Sequence, residues 1–102
     1  VRGVAHITGG GLPGNLNRVL PHGTAAEVTR GTWDVPPIFN EIQRLGSVAD
    51  DEMARVFNMG VGMVVVVPES DSFKALDVAR TAGHRATVIG RIVEGDGTVR
   101  IV

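Results

Sequence analysis

The chain predicts an α/β (α+β) fold, a mixed β-sheet covered by helices with the element order βαβααβαββ, on three observations. Short runs of β-type residues alternate with stretches whose apolar residues recur at helical spacing. The run Met63-Val64-Val65-Val66-Val67 is continuously apolar, as a strand buried on both faces requires. Near the end, two β-type runs flank Glu94-Gly95-Asp96-Gly97, whose composition is that of a hairpin turn. Helices and strands of this kind bury their apolar sides by stacking helix on sheet.

Taken in order, residues 4–8 form the first strand, and Gly9, Gly10 and Gly11 break it before a helical stretch over 15–20 with Leu16, Val19 and Leu20 on one side. Pro21 and Gly23 end that helix, and residues 25–30 form a second strand with Ala26 and Val28 on one face. Asp34 is positioned as an N-cap and Pro36 and Pro37 suit a first turn. Ile38, Phe39, Ile42 and Leu45 then share a helical face that Gly46 terminates. A shorter helix starts at Asp50 with an acidic first turn and faces Met53, Val56 and Phe57 inward. After Gly60, Gly62 and the apolar run, Ser70, Asp71 and Ser72 offer caps for a helix through Ala82. Its core stripe is Phe73, Leu76 and Ala79, and its stop is Gly83. Residues 86–93 and 98–102 read as the closing strands.

With 102 residues the chain is a single domain with one modest core. Its 43% apolar and 21% charged residues are those of a globular protein, and a net charge of −1 provides no electrostatic footprint for nucleic acid or an anionic membrane. The absence of cysteine excludes disulfides, thiolate metal sites and cysteine nucleophiles, and fits a cytoplasmic protein. The longest apolar run, residues 61–67, falls far short of a spanning helix, and no signal pattern opens the chain.

Two glycine-rich segments carry the chemistry. In the Thr8-Gly9-Gly10-Gly11 loop, backbone amides near a helix start can hold a phosphate, or the glycines can simply supply positive φ to a tight turn. Asn58, Gly60 and Gly62 sit where a short helix hands over to the apolar strand, and Asn58 can contact a ligand or cap the helix. His6 can move a proton near neutral pH or serve as a hydrogen-bonded structural residue, with no second histidine or carboxylate beside it in sequence. His22 and His84 fall in turns open to solvent. Asp50-Asp51-Glu52 is the ordinary answer to a helix dipole, and no metal site is assigned. Trp33, the single tryptophan, is expected to anchor the core beside Phe39.

The blocks His6-Ile7-Thr8-Gly9-Gly10-Gly11-Leu12, Asn15, Arg18-Val19-Leu20-Pro21, Trp33, Pro37-Ile38-Phe39, Gly46, Glu52-Met53 and Phe57-Asn58-Met59-Gly60-Val61-Gly62-Met63 occur in one order over about two-thirds of the chain. Together they resemble the C-terminal domain of the phosphoribosylformylglycinamidine cyclo-ligase (AIR synthetase) family. Relatives in the wider superfamily tend to carry Asp where this chain has His6, which favours the cyclo-ligase branch. The resemblance implies an AIR synthase C-terminal domain-like, partly ferredoxin-like sheet. It also implies that the chain is the C-terminal portion of a larger two-domain enzyme, inactive by itself.

What the resemblance further implies is a ligase of purine biosynthesis. ATP activates the formyl oxygen of formylglycinamidine ribonucleotide, and ring closure by nitrogen gives aminoimidazole ribonucleotide with ADP and phosphate. ATP and Mg²⁺ would be bound mainly by the absent N-terminal domain, through which a homodimer would also be built. Thr8, Gly9, Gly10, Gly11, Asn58, Gly60 and Gly62 would line the substrate or phosphate site, with His6 as the candidate catalytic group. Two alternatives stand beside this. One is the C-terminal domain of a formylglycinamidine ribonucleotide synthase or a related superfamily member; the other is a non-catalytic module that binds a small ligand.

Overall fold

A computed structural model describes residues 1–102. Along the chain run β1 (Gly3–His6), α1 (Gly11–Leu16) prolonged by a 3-10 turn (Asn17–Val19), β2 (Thr24–Val28), α2 (Pro37–Gly46) and α3 (Asp50–Val56). They are followed by β3 (Met63–Val66), a 3-10 turn (Glu69–Asp71) leading into α4 (Ser72–Thr81), β4 (Gly90–Glu94) and β5 (Val99–Ile101). No helix is long and apolar enough to cross a membrane.

The strands form two sheets rather than the single mixed sheet the sequence suggests. β1 and β3 make a two-stranded antiparallel ribbon in which Ala5 faces Val64 and His6 faces Met63. The second sheet has the order β4-β2-β5, with β2 antiparallel to β4 and parallel to β5. The expected hairpin between β4 and β5 is therefore absent. Their connection crosses the start of β2, where the Gly95 N–H donates to the Gly23 carbonyl at 3.0 Å and the Gly97 N–H to that of Thr24 at 2.7 Å. A side chain on Gly95 would collide with Ala25, so this glycine serves a close backbone crossing instead of a two-strand turn.

One small core joins the two sheets. Ala5 and Ile7 from the ribbon, Leu12 and Leu16 from α1, and Ala26 and Val28 from β2 are buried together, with Trp33, Val64, Val66 and Ile101 packed around them. Leu12 and Leu16 are four residues apart and so share one face of α1, and burying each contributes about 2 kcal/mol. The helix begins at Gly11 rather than at Asn15.

Several apolar residues expected inside are outside. β3 is not buried on both faces: Val64 and Val66 point into the core, while Met63 and Val65 alternate to the solvent face of the ribbon, beside Val4. A strand with one partner and one packed face shows this period of two whatever its composition. On α2, Phe39 meets Phe57 with ring centroids 5.6 Å apart, but Ile38 and Leu45 are exposed. Phe73 on α4 is 88% exposed, not part of the core, and Val56 also faces outward. Neither expected cap operates: no side chain caps α2 or α4, and Pro36 directly precedes α2. The left-handed residue that ends α2 is Ser47 (φ 50°) rather than Gly46, and the Val48 N–H closes that turn on the Gln43 carbonyl at 3.0 Å.

Candidate functional site

Ribbon pairing brings the two glycine segments to one end of the molecule. β1 runs into Thr8-Gly9-Gly10-Gly11 as β3 emerges from residues 58–62, and the Ile7 N–H donates to the Gly62 carbonyl at 2.9 Å across the join. The C-terminal end of α3 closes on the same place, because Gly11 abuts the Ala54 and Phe57 carbonyl oxygens.

Each glycine then has its own reason. Gly10 (φ 102°) and Gly11 (φ 63°) occupy the left-handed region that side chains disfavour. A Cβ on Gly11 would overlap the Ala54 carbonyl and lie 2.8 Å from that of Phe57, so the closeness of α1 to α3 depends on this hydrogen-sized side chain. Gly9 has open space around the position of a Cβ. The N–H groups of Thr8, Gly9 and Gly10 donate to no acceptor in the chain. α1 is only six residues long, so these amides, not a helix dipole, make the loop's polar surface.

The second segment is used differently. The Asn58 carboxamide oxygen accepts the Gly60 N–H at 2.9 Å and its carbonyl accepts the Val61 N–H at 3.0 Å, an Asx-type turn that holds the segment closed. Met59 takes a positive φ of 53°, and its carbonyl accepts the Trp33 indole N–H at 3.1 Å. Gly60 (φ 96°) approaches Pro36, with room for a Cβ only 2.5 Å from the proline Cδ. Gly62 is exposed and unconfined. Trp33 packs against the core with its indole N–H held by Met59, and the Phe39 and Phe57 rings meet at a tilt of 58°. Leu12, Trp33, Met53 and Phe57, with Arg30 and Asp50, line a cavity of about 120 Å³ behind the glycine segments.

His6 lies on the solvent face of the ribbon and its side chain makes no hydrogen bond or ion pair within the chain. His22 and His84 are also exposed. The acidic run of α3 does not gather: Asp50 accepts from Gln43 Nε2 at 2.6 Å, Glu52 pairs with Arg55, and no group of three or more His, Asp or Glu side chains is placed to hold a metal ion. Elsewhere, Glu27 on β2 is flanked by Arg91 at 3.1 Å and Arg100 at 3.0 Å, one from each neighbouring strand.

A polar residue that composition and spacing do not single out organises the first segment. Asn15, 5% exposed, is buried with Leu12 and Leu16, and its carboxamide reaches Thr8, Gly9 and Gly11. Only a helix begun at Gly11, which the structure shows, puts this asparagine on the apolar side with Leu12 and Leu16, where a polar group needs a partner.

Residues 1–102 match the family described as AIR synthase related protein, C-terminal domain. A phosphoribosylformylglycinamidine cyclo-ligase of a Thermoanaerobacter species is 52% identical over 99 residues, which cover 97% of this chain and 30% of that protein. The enzyme of the same name from Myxococcus xanthus is 50% identical over 102 residues, covering 100% of the chain and 30% of the relative, and that from a Synechococcus species is 46% identical over 99 residues. The chain spans about 30% of the length of these curated relatives.

Proposed function

Since the chain belongs to the AIR synthase related C-terminal domain family, we propose that it is the C-terminal portion of a phosphoribosylformylglycinamidine cyclo-ligase and forms one wall of its nucleotide cleft. The observation that carries this reading is the convergence of the two glycine segments at one end of the β1–β3 ribbon, with the Thr8, Gly9 and Gly10 amides free to donate. In the reaction so assigned, the formyl oxygen of formylglycinamidine ribonucleotide takes the γ-phosphoryl group of ATP. The substrate's ribosyl-bearing nitrogen then closes on the formyl carbon as phosphate leaves, giving aminoimidazole ribonucleotide, ADP and phosphate. Such chemistry depends mainly on positioning and on stabilising charge, which backbone donors supply without a protein nucleophile.

In this assignment the amides of Thr8, Gly9 and Gly10 bind an anionic phosphate oxygen. Gly11 and Gly60 keep the wall closely packed, and Asn58 and Gly62 shape its rim. His6 is the candidate proton carrier, supported by its exposure and its freedom from other partners. The reading assigns magnesium and the remainder of the ATP site to another part of a two-domain enzyme, and a homodimer to the whole. The test is titration of the ¹⁵N-labelled protein with ATP and with the ribonucleotide. The reading expects the Thr8, Gly9 and Gly10 amides to shift with one of them, and expects no turnover from the 102-residue chain by itself. Unmoved loop amides, or turnover by the isolated chain, would overturn it.

A further inference from the structure

The inference rests on that reading of the loop, whose backbone groups from residue 8 to residue 11 are unevenly paired. Every carbonyl in the loop has a donor inside the chain. That of Thr8 accepts from the Gly11 N–H at 3.0 Å and from Asn15 Nδ2 at 3.2 Å, and that of Gly9 from Asn15 Nδ2 at 3.4 Å. The Gly10 carbonyl accepts from the Gly14 N–H at 3.0 Å, and that of Gly11 from Asn15 Nδ2 at 2.8 Å. The Thr8, Gly9 and Gly10 N–H groups have no such partner. With its acceptors saturated and three N–H groups open at the surface, the loop presents a donor-only face.

One side chain produces most of this asymmetry. Asn15 Nδ2 touches three of the four carbonyls and draws them toward the core, where an asparagine at 5% exposure must itself be satisfied. Its Oδ1 accepts the Thr8 hydroxyl at 3.2 Å, so the single proton of that hydroxyl is already committed. We propose that Asn15 is the positioning residue of the site: it turns the carbonyls of Thr8, Gly9 and Gly11 inward so that the loop receives a phosphate group through three amides, with Thr8 contributing its N–H and not its hydroxyl. A donor-only surface of backbone amides suits an anion, and in the reaction assigned above that makes the phosphate of the ribonucleotide or of ATP the class of ligand recognised.

Asn15→Asp tests this in the complete cyclo-ligase. The change keeps the shape and the acceptor for Thr8, but sets a carboxylate against three carbonyls. The expected result is a rise of about tenfold or more in KM for the ligand that uses the loop, with kcat within about threefold, the pattern of lost ground-state binding. Measuring KM for the ribonucleotide and for ATP separately identifies that ligand. Leu16→Ala, one residue on and equally buried, is the structural control: it should lower thermal stability without raising either KM. Should Asn15→Asp fail to fold, Asn15→Ser, neutral and too short to span the carbonyls, is expected to raise the same KM by a smaller factor.

KM values that rise for Asn15 and Leu16 variants alike, in proportion to lost stability, would overturn the proposal, as would an Asn15 variant with unchanged KM. Loop amides that shift with ligand in the wild-type protein, alongside an unaffected Asn15 variant, would leave the phosphate reading standing and remove only Asn15's role. Loop amides that shift with no ligand would remove both.

Discussion

The loop 8–11 and the turn 58–62 lie side by side at the end of the β1–β3 ribbon, are both rich in glycine, and differ in which backbone groups they leave unpaired. In the turn, the Asn58 side chain takes up the Gly60 N–H, and the groups left without a partner in the chain are of both kinds, the Asn58, Met59 and Gly62 N–H groups and the Gly60 and Val61 carbonyls. In the loop, the Asn15 side chain takes up carbonyls, so donors are left over. An asparagine carboxamide can play either part because it carries both an acceptor and a donor. A glycine count therefore does not separate the two segments; the sign of the unpaired backbone groups does.

Substitution of the glycines one at a time separates packing from recognition. Gly11→Ala should have the largest effect, about 4 kcal/mol or more in chemical unfolding, since it adds left-handed strain to a clash between α1 and the α3 carbonyls. A loss below about 1 kcal/mol would mean that α1 and α3 can separate freely. Gly60→Ala should cost about 2 kcal/mol, from its left-handed φ and the close Pro36 ring, and it should leave KM unchanged. Asn58→Ala should cost about 1 kcal/mol for the lost turn bond. If it raised KM as strongly as Asn15→Asp, the contrast between the two asparagines would collapse.

Gly9→Ala is the sharpest case, because open space and an ordinary φ should keep stability within about 0.5 kcal/mol while the added methyl group hinders close approach of a phosphate. Steady-state kinetics should show a raised KM there and a smaller rise for Gly62→Ala at the rim, whose surroundings are equally open. The smallest effect lies in a third glycine-containing turn. The Thr98 hydroxyl, followed by the Asp96 backbone, holds the Asp96 carboxyl below the usual carboxylate range. A depressed folded-state value adds stability above the unfolded-state value, and this is lost as pH falls through the folded one. Thr98→Val should raise the Asp96 value in an NMR titration and slightly flatten the acid limb of stability, without altering ligand binding.

The alternation of strand and helix segments was legible because it is written in local chemistry. Pro36 and Pro37 open α2 at Pro37, the acidic run Asp50-Asp51-Glu52 marks the start of α3, and apolar β-branched residues mark β3. The segments that form the candidate site were legible too, as clusters of glycine beside apolar strands. Their division of labour was not: Gly11 and Gly60 looked like Gly9 and Gly10, yet they are required by the carbonyls at the end of α3 and by the Pro36 ring, far along the chain. Asn15 was visible only as a member of a family pattern, since its partners lie across a turn whose shape it helps to create.

By itself the sequence determined which stretches are helical or extended, where glycine and proline interrupt them, and, through ordered blocks from His6 to Met63, the family. Tertiary structure decided that β3 pairs with β1 alone, leaving Met63 and Val65 outside, and that β2 lies between β4 and β5 where a hairpin was expected. It also decided which amides stay unpaired. Helix and turn preferences arise from groups a few residues apart, whereas strand partners and backbone satisfaction depend on contacts between distant segments. Those contacts are settled only when the whole chain competes for one small core.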